Sequence, residues 1–190
     1  YMGGDSIVRL LLFWSLLLPL GARFSIDAVR GRAAIAANSL LSGASVALLL
    51  QVGLIYWATG VPKDGDLWRT GQAVFYALHS YMATPFGEWM RGAPPALLRA
   101  LSDSTLLVER FGPLLAFVPI YTPLFRLLAV ALFWGFHIGL AAAMNIGLFP
   151  VFSMVAWLAF LPTELWERFR PSSAADVPVR RLLARAASIV

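Results

Sequence analysis

The stretch Gln51–Trp68, QVGLIYWATGVPKDGDLW, decides how the chain is read. Its first ten residues carry no charge, and it ends in a Gly-Pro-Asp turn that holds Lys63. An apolar run that passes Tyr56 and Trp57 and then breaks into charge has the pattern of a helix meeting a membrane interface. Lys63 is the single lysine; the other cationic side chains are arginines. A lone amine in that place is either an anchor reaching for head groups or a base in an apolar setting.

Working outward, the composition agrees with a membrane span. Of 190 residues, 59% are hydrophobic and only 13% charged, with a mean hydropathy of +0.75. Soluble domains carry about twice that charged fraction. At roughly 20 apolar residues per crossing, the length allows about five helices and no large soluble domain. The absence of cysteine excludes disulfides, thiolate nucleophiles and Cys-ligated metals. No metal-ligand set is read. The net charge of +5 comes from arginines near span ends and in the tail, which fits anionic lipid rather than nucleic acid.

The first apolar run, Ile7 to about Gly21, lacks a signal-peptide cleavage site and is read as span one, with Pro19 inside it. Arg23, Arg30 and Arg32 follow, so that loop is placed in the cytoplasm by the positive-inside rule. Span two covers about Asn38 to Val61, with small residues in its first half and the aromatic pair Tyr56 and Trp57 at the far interface. Lys63, Asp64, Asp66 and Arg69 then lie in a non-cytoplasmic loop.

Residues 71–101 are aromatic but too polar for a lipid-facing span, so a re-entrant or interfacial element is expected, ending in a short amphipathic helix after Pro94 and Pro95. Spans three, four and five are read at about Ser104–Pro119, Pro123–Leu148 and Phe149–Trp166. Most tryptophans fall near span ends and are expected in interfacial belts. The expected fold is an all-α polytopic integral membrane helical bundle of about five spans plus one re-entrant or interfacial element. Residues 1–166 form the bundle and 167–190 a basic cytoplasmic tail, in which Val179, Leu182, Leu183, Ala186 and Ile189 share one face of an amphipathic interfacial helix.

Five pieces, in order, carry a family resemblance: GGDSIVRLLLFWSLLLPLGARFSIDA (Gly3–Ala28), GVPKDGDLW (Gly60–Trp68), GQAVFYALHSYMATPFG (Gly71–Gly87), ERFGPLL (Glu109–Leu115) and FHIGLAAAMNIGLFP (Phe136–Pro150). Together they resemble the horizontally transferred transmembrane domain family, which is related to the vitamin K-dependent gamma-carboxylase. The resemblance covers the later part of that family's membrane domain, so an N-terminally incomplete copy is expected. The carboxylase uses a lysine in a Gly-x-x-Lys…Trp stretch to deprotonate vitamin K hydroquinone, before carbon dioxide adds to a glutamyl side chain. Gly60, Lys63 and Trp68 fit that stretch without a gap. Ser25-Ile26-Asp27 keeps the family's Ser-x-Asp motif, but Ala22 stands where the family has a functional histidine.

The resemblance makes Lys63 the candidate base, with Trp68 as a cavity-lining residue. Read from position alone, Glu109 and His137 are ionisable groups at membrane depth, which face a bundle interior as cavity lining, proton path or interhelical hydrogen bond. His79 is a candidate proton carrier if it shares the Lys63 cavity, and otherwise an interfacial polar residue. The leading expectation is a non-catalytic subunit packed in a larger membrane complex of a respiratory or photosynthetic kind. The alternative is an intramembrane carboxylase-like enzyme using Lys63 with a reduced quinone. The expected partners are the lipid bilayer and other membrane subunits, in a bacterial inner membrane with the N-terminus out and the C-terminus in.

Overall fold

The structure, a computed structural model, describes residues 3–20, 25–26 and 42–168. Ala22, Asp27, the arginine-rich loop and the basic tail lie outside the described residues. Nine α-helices and one 3-10 turn make up the described part, without a named strand among those residues: α1 (Gly3–Ser15), α2 (Gly43–Gly60), α3 (Asp66–Arg69), α4 (Ala73–Leu78), α5 (Pro85–Met90), α6 (Pro95–Leu115), α7 (Thr122–Ala143), α8 (Phe149–Trp157) with the 3-10 turn Leu158–Phe160, and α9 (Thr163–Arg168).

Local chemistry sets where these helices start and stop. Ser42 and Ser45 form a reciprocal capping box at the start of α2, each hydroxyl accepting from the other residue's backbone N–H at 3.1 and 2.9 Å. The helix stops at Gly60, two residues before Pro62, which has no N–H to continue the ladder. Pro19 likewise could not donate to Ser15, where α1 ends after 13 residues. Tyr121 sits in the left-handed region at φ 47, which turns the chain back between α6 and α7.

Of the described helices, α2 and α7 are long and apolar enough to cross a membrane. Their 18 and 22 residues correspond to roughly 27 and 33 Å at 1.5 Å per residue. α1 and α8 are shorter than the spans expected at those places. A second difference concerns residues 95–115, expected as a short helix followed by a separate span. They form one 21-residue helix. Asp103 lies within it, 3.9 Å from Arg99 one turn back on the same face. Ser102 returns its hydroxyl to Leu98 O, at 3.0 Å.

The long helices alternate in direction. A side chain at Gly53 would meet Phe117 at 3.2 Å, and one at Gly60 would meet Glu109 at 2.9 Å, so α2 and α6 are antiparallel. Ala116 O receives Arg126 Nε at 3.4 Å while Gly112 faces Phe133, which makes α6 and α7 antiparallel. Phe133 stacks on Trp157 at 4.0 Å and His137 meets Phe149 at 5.3 Å, giving the same relation between α7 and α8. α1 joins through Gly4, which lies against the Phe149 backbone.

The core is aromatic. Phe133, Trp157 and Phe160 have no exposed surface, and Phe160 meets Phe117 edge-on at 5.7 Å. Trp157 and Tyr56 are therefore core residues rather than the interfacial ones expected, whereas Trp57 and Trp89 are exposed. On the outside, Leu12, Leu54, Leu107, Phe111, Leu124 and Ile138 are all exposed. So much exposed apolar surface fits lipid rather than water.

The aromatic segment expected to be re-entrant or interfacial folds as α4 and α5 across the ends of α6 and α7. Val74 N–H donates to Ser102 Oγ at 3.0 Å. Thr84 N–H reaches Ala143 O at 3.1 Å and Asn145 N–H reaches Met82 O at 2.6 Å. Because Glu109 is level with Gly60, the part of α6 before it runs on past the end of α2 by roughly 20 Å.

Candidate functional site

Gly60 is where the site begins. Lacking a side chain, it lets α6 approach until Glu109 Cβ and Arg110 Cγ lie 2.9 and 3.3 Å from the place a Cβ would take. That approach aligns Glu109 with the turn after α2. Lys63 Nζ donates to Glu109 Oε2 and forms an ion pair with it. The lysine side chain is 25% exposed and the glutamate 9%, so the carboxylate is the more enclosed partner. Trp68 covers the ammonium, its ring centroid 4.9 Å from Nζ, a distance at which the ring face attracts a cation.

Arg110 points elsewhere from its neighbour Glu109. Its Nε donates to Gly60 O and its Nη2 to Lys63 O, both at 2.9 Å. The last carbonyls of a helix lack internal partners and carry the negative end of its dipole, so a guanidinium there is well matched. Beside these groups opens a cleft of about 210 Å³, lined by Lys63, Asp64, Arg69, Leu106 and Arg110. Three of its five lining residues are cations and one is an acid. An anion is thus favoured in it.

One turn back on the same helix, Tyr56 belongs to a second polar cluster. Trp157 Nε1 donates to its hydroxyl oxygen at 3.0 Å, and His137 Nε2 lies 2.8 Å from the same oxygen. His137 Nδ1 is buried without a hydrogen-bond partner. Ser153, also fully buried, stands close to the phenol but makes no well-formed hydrogen bond.

The sequence candidates divide accordingly. Lys63, Glu109 and Trp68 come together at the end of α2. His137 lies in the bundle interior with Tyr56. His79 is exposed, its Nδ1 2.8 Å from Phe75 O and its ring against Phe75 at 4.2 Å; it does not line the Lys63 cleft. Sequence reasoning missed Tyr56 and Trp157 as polar partners, and missed Arg110 as the cap of α2. One signal was available for Tyr56: Gly53, Tyr56 and Gly60 share a helix face, and small residues on a face mark close packing.

A family model described as the HTTM domain matches residues 6–166. No curated protein and no solved structure matches the chain.

Proposed function

Because the chain belongs to the HTTM domain family, the domain found in vitamin K-dependent gamma-carboxylase, we propose that it is an intramembrane carboxylase-like enzyme with Lys63 as its base. The observation that carries this reading is the contact of Lys63 with Glu109 beside a cationic cleft. An ammonium accepts no proton until it has released one, and Glu109 is the group within reach to take it. The amine then abstracts a proton from an acidic O–H held in the cleft. The anion left behind faces Arg69 and Arg110, whose fixed charge favours it.

The residues suit an aromatic head that bears such a hydroxyl. Leu106 offers an apolar wall and the arginines a place for developing negative charge, while the Trp68 ring holds the Lys63 side chain from behind. A reduced quinone supplies the acidic O–H when bound. In this reading the bilayer is crossed five times, with the N-terminus out and Lys63 on the non-cytoplasmic side of a bacterial inner membrane. The alternation of the long helices supports it.

The test is incorporation of labelled carbon dioxide into a glutamyl peptide by reconstituted protein supplied with reduced quinones. Lys63→Ala is expected to abolish incorporation, and Glu109→Gln to lower it by about 100-fold or more, as for loss of a proton-transfer partner. Wild-type protein that stays inert with every quinone ends the reading.

A second reading, a non-catalytic subunit of a larger membrane complex, is favoured by the packing work of the same groups. Lys63, Glu109 and Arg110 tie the end of α2 to α6, and Ala22 replaces the histidine of the related carboxylase. In that case, extraction in mild detergent co-purifies a stoichiometric membrane partner. A stable monomer without one counts against it.

A further inference from the structure

A second and larger groove, of about 610 Å³, lies between α4, α5 and the first turns of α6. Phe75, Tyr76, Arg91, Ala96 and Arg99 are among the residues that line it. Two guanidinium groups line it and no carboxylate does. Arg91 is held by Nε donating to Leu78 O at 2.7 Å, with Glu88 3.7 Å from Nη2. A guanidinium has five N–H donors, so several stay free. Arg99 has only a 3.9 Å approach to Asp103, with both side chains largely exposed, and such a pair holds weakly.

Gly71 and Arg99 meet in the lining of the groove. Gly71 adopts φ +71 and lies so close to the arginine stem that any side chain there would collide with Arg99 Cγ. The surroundings have the features of a membrane interface. Tyr76, which lines the groove, and Tyr81, Phe86 and Trp89, in the same α4–α5 segment of chain, are exposed. Exposed aromatic rings at that level are the usual head-group belt.

We infer that this groove binds the anionic head group of a glycerophospholipid. Arg91 and Arg99 take the phosphate, for which the planar fork of arginine is the matching donor. Phe75 and Tyr76 cover the glycerol and the first acyl carbons. α6 begins at Pro95 and has no acid in its first turn, so its positive end adds to the attraction. The inference stands apart from the chemistry at Lys63 and survives if that chemistry fails.

The full chain in neutral detergent is titrated with dioctanoyl phosphatidylglycerol, dioctanoyl phosphatidylcholine and inorganic phosphate, following tryptophan fluorescence and Tm. Phosphatidylglycerol is expected to bind at least about five-fold more tightly than phosphatidylcholine, and phosphate alone to cause no shift. Each of R91Q and R99Q should weaken phosphatidylglycerol by about five-fold. Ala96→Trp fills the groove while leaving both arginines, and should weaken it comparably; R168Q, outside the groove, should not. Equal binding of the two lipids, unchanged affinity in all three groove variants, or saturation by phosphate alone would each overturn the inference.

Discussion

Two polar clusters share one face of α2, a single turn apart, and they are built on opposite principles. Around Tyr56 the groups are neutral and the surroundings aromatic; His137 and Trp157 have no exposed surface at all. At Lys63 the groups are charged, and they sit where α2 ends and a cleft opens. Burying a charge in hydrocarbon costs far more than burying a hydrogen-bonded neutral group. The bundle therefore keeps neutral donors and acceptors inside and holds its ion pair at the rim, where the lysine still touches solvent. The rim has space and charge for a ligand, while the interior cluster holds three helices in register.

The comparison can be broken most sharply at Glu109. Replacing it with Leu strands the Lys63 ammonium against apolar side chains, and a loss of about 3 kcal/mol is expected. That is the low end of the range for halving a buried pair, because Lys63 is partly exposed. Adding Lys63→Met should restore most of the loss, and unfolding of the four proteins of this cycle in detergent measures it. A double variant as unstable as Glu109→Leu would mean that the pair is not what joins the helices there.

Gly60→Ala tests the approach that creates the rim site. The new methyl would push Glu109 away, at an overpacking cost of about 1–3 kcal/mol, partly offset by the roughly 1 kcal/mol that Ala gains over Gly within a helix. A net loss of up to about 2 kcal/mol is expected in the same unfolding measurement, with reduced carboxylation if the site is catalytic. An unchanged protein would show that α6 can retreat freely.

The smallest effect on the cleft is expected in the interior. Tyr56→Phe keeps the ring packing and removes only the hydroxyl, at about 1–3 kcal/mol because the buried Trp157 Nε1–H and His137 lose their partner. The Lys63 cleft should be unaffected, so any carboxylation activity should persist. If this variant cost more than Glu109→Leu, the contrast between the two clusters would be reversed.

Much of the architecture was legible in the sequence because apolarity is a local property. Gly43–Gly60 and Thr122–Ala143 stand out from composition alone, as does the broken aromatic segment between Gly71 and Leu101. Boundaries were less legible. The stretch around Arg99 and Asp103 read as a short amphipathic helix ahead of a separate span, and only the structure shows the two as one continuous α6. Tyr56 and Trp157 read as interface residues because sequence position near a span end does not tell which face they occupy.

By itself the sequence determined a helical membrane protein of the carboxylase-related family, with its one lysine in a Gly-x-x-Lys…Trp turn. It also named Glu109 and His137 as ionisable groups at depth. Only the tertiary structure decided their partners: Glu109 meets Lys63 across 46 residues, and His137 meets Tyr56 across 81. The reason is geometric. A helix can be inferred from its own residues, but the pairing of two helices depends on which faces meet. Here the bare surfaces of Gly53 and Gly60 let α6 lie close against α2, and the charged and neutral clusters follow from that contact.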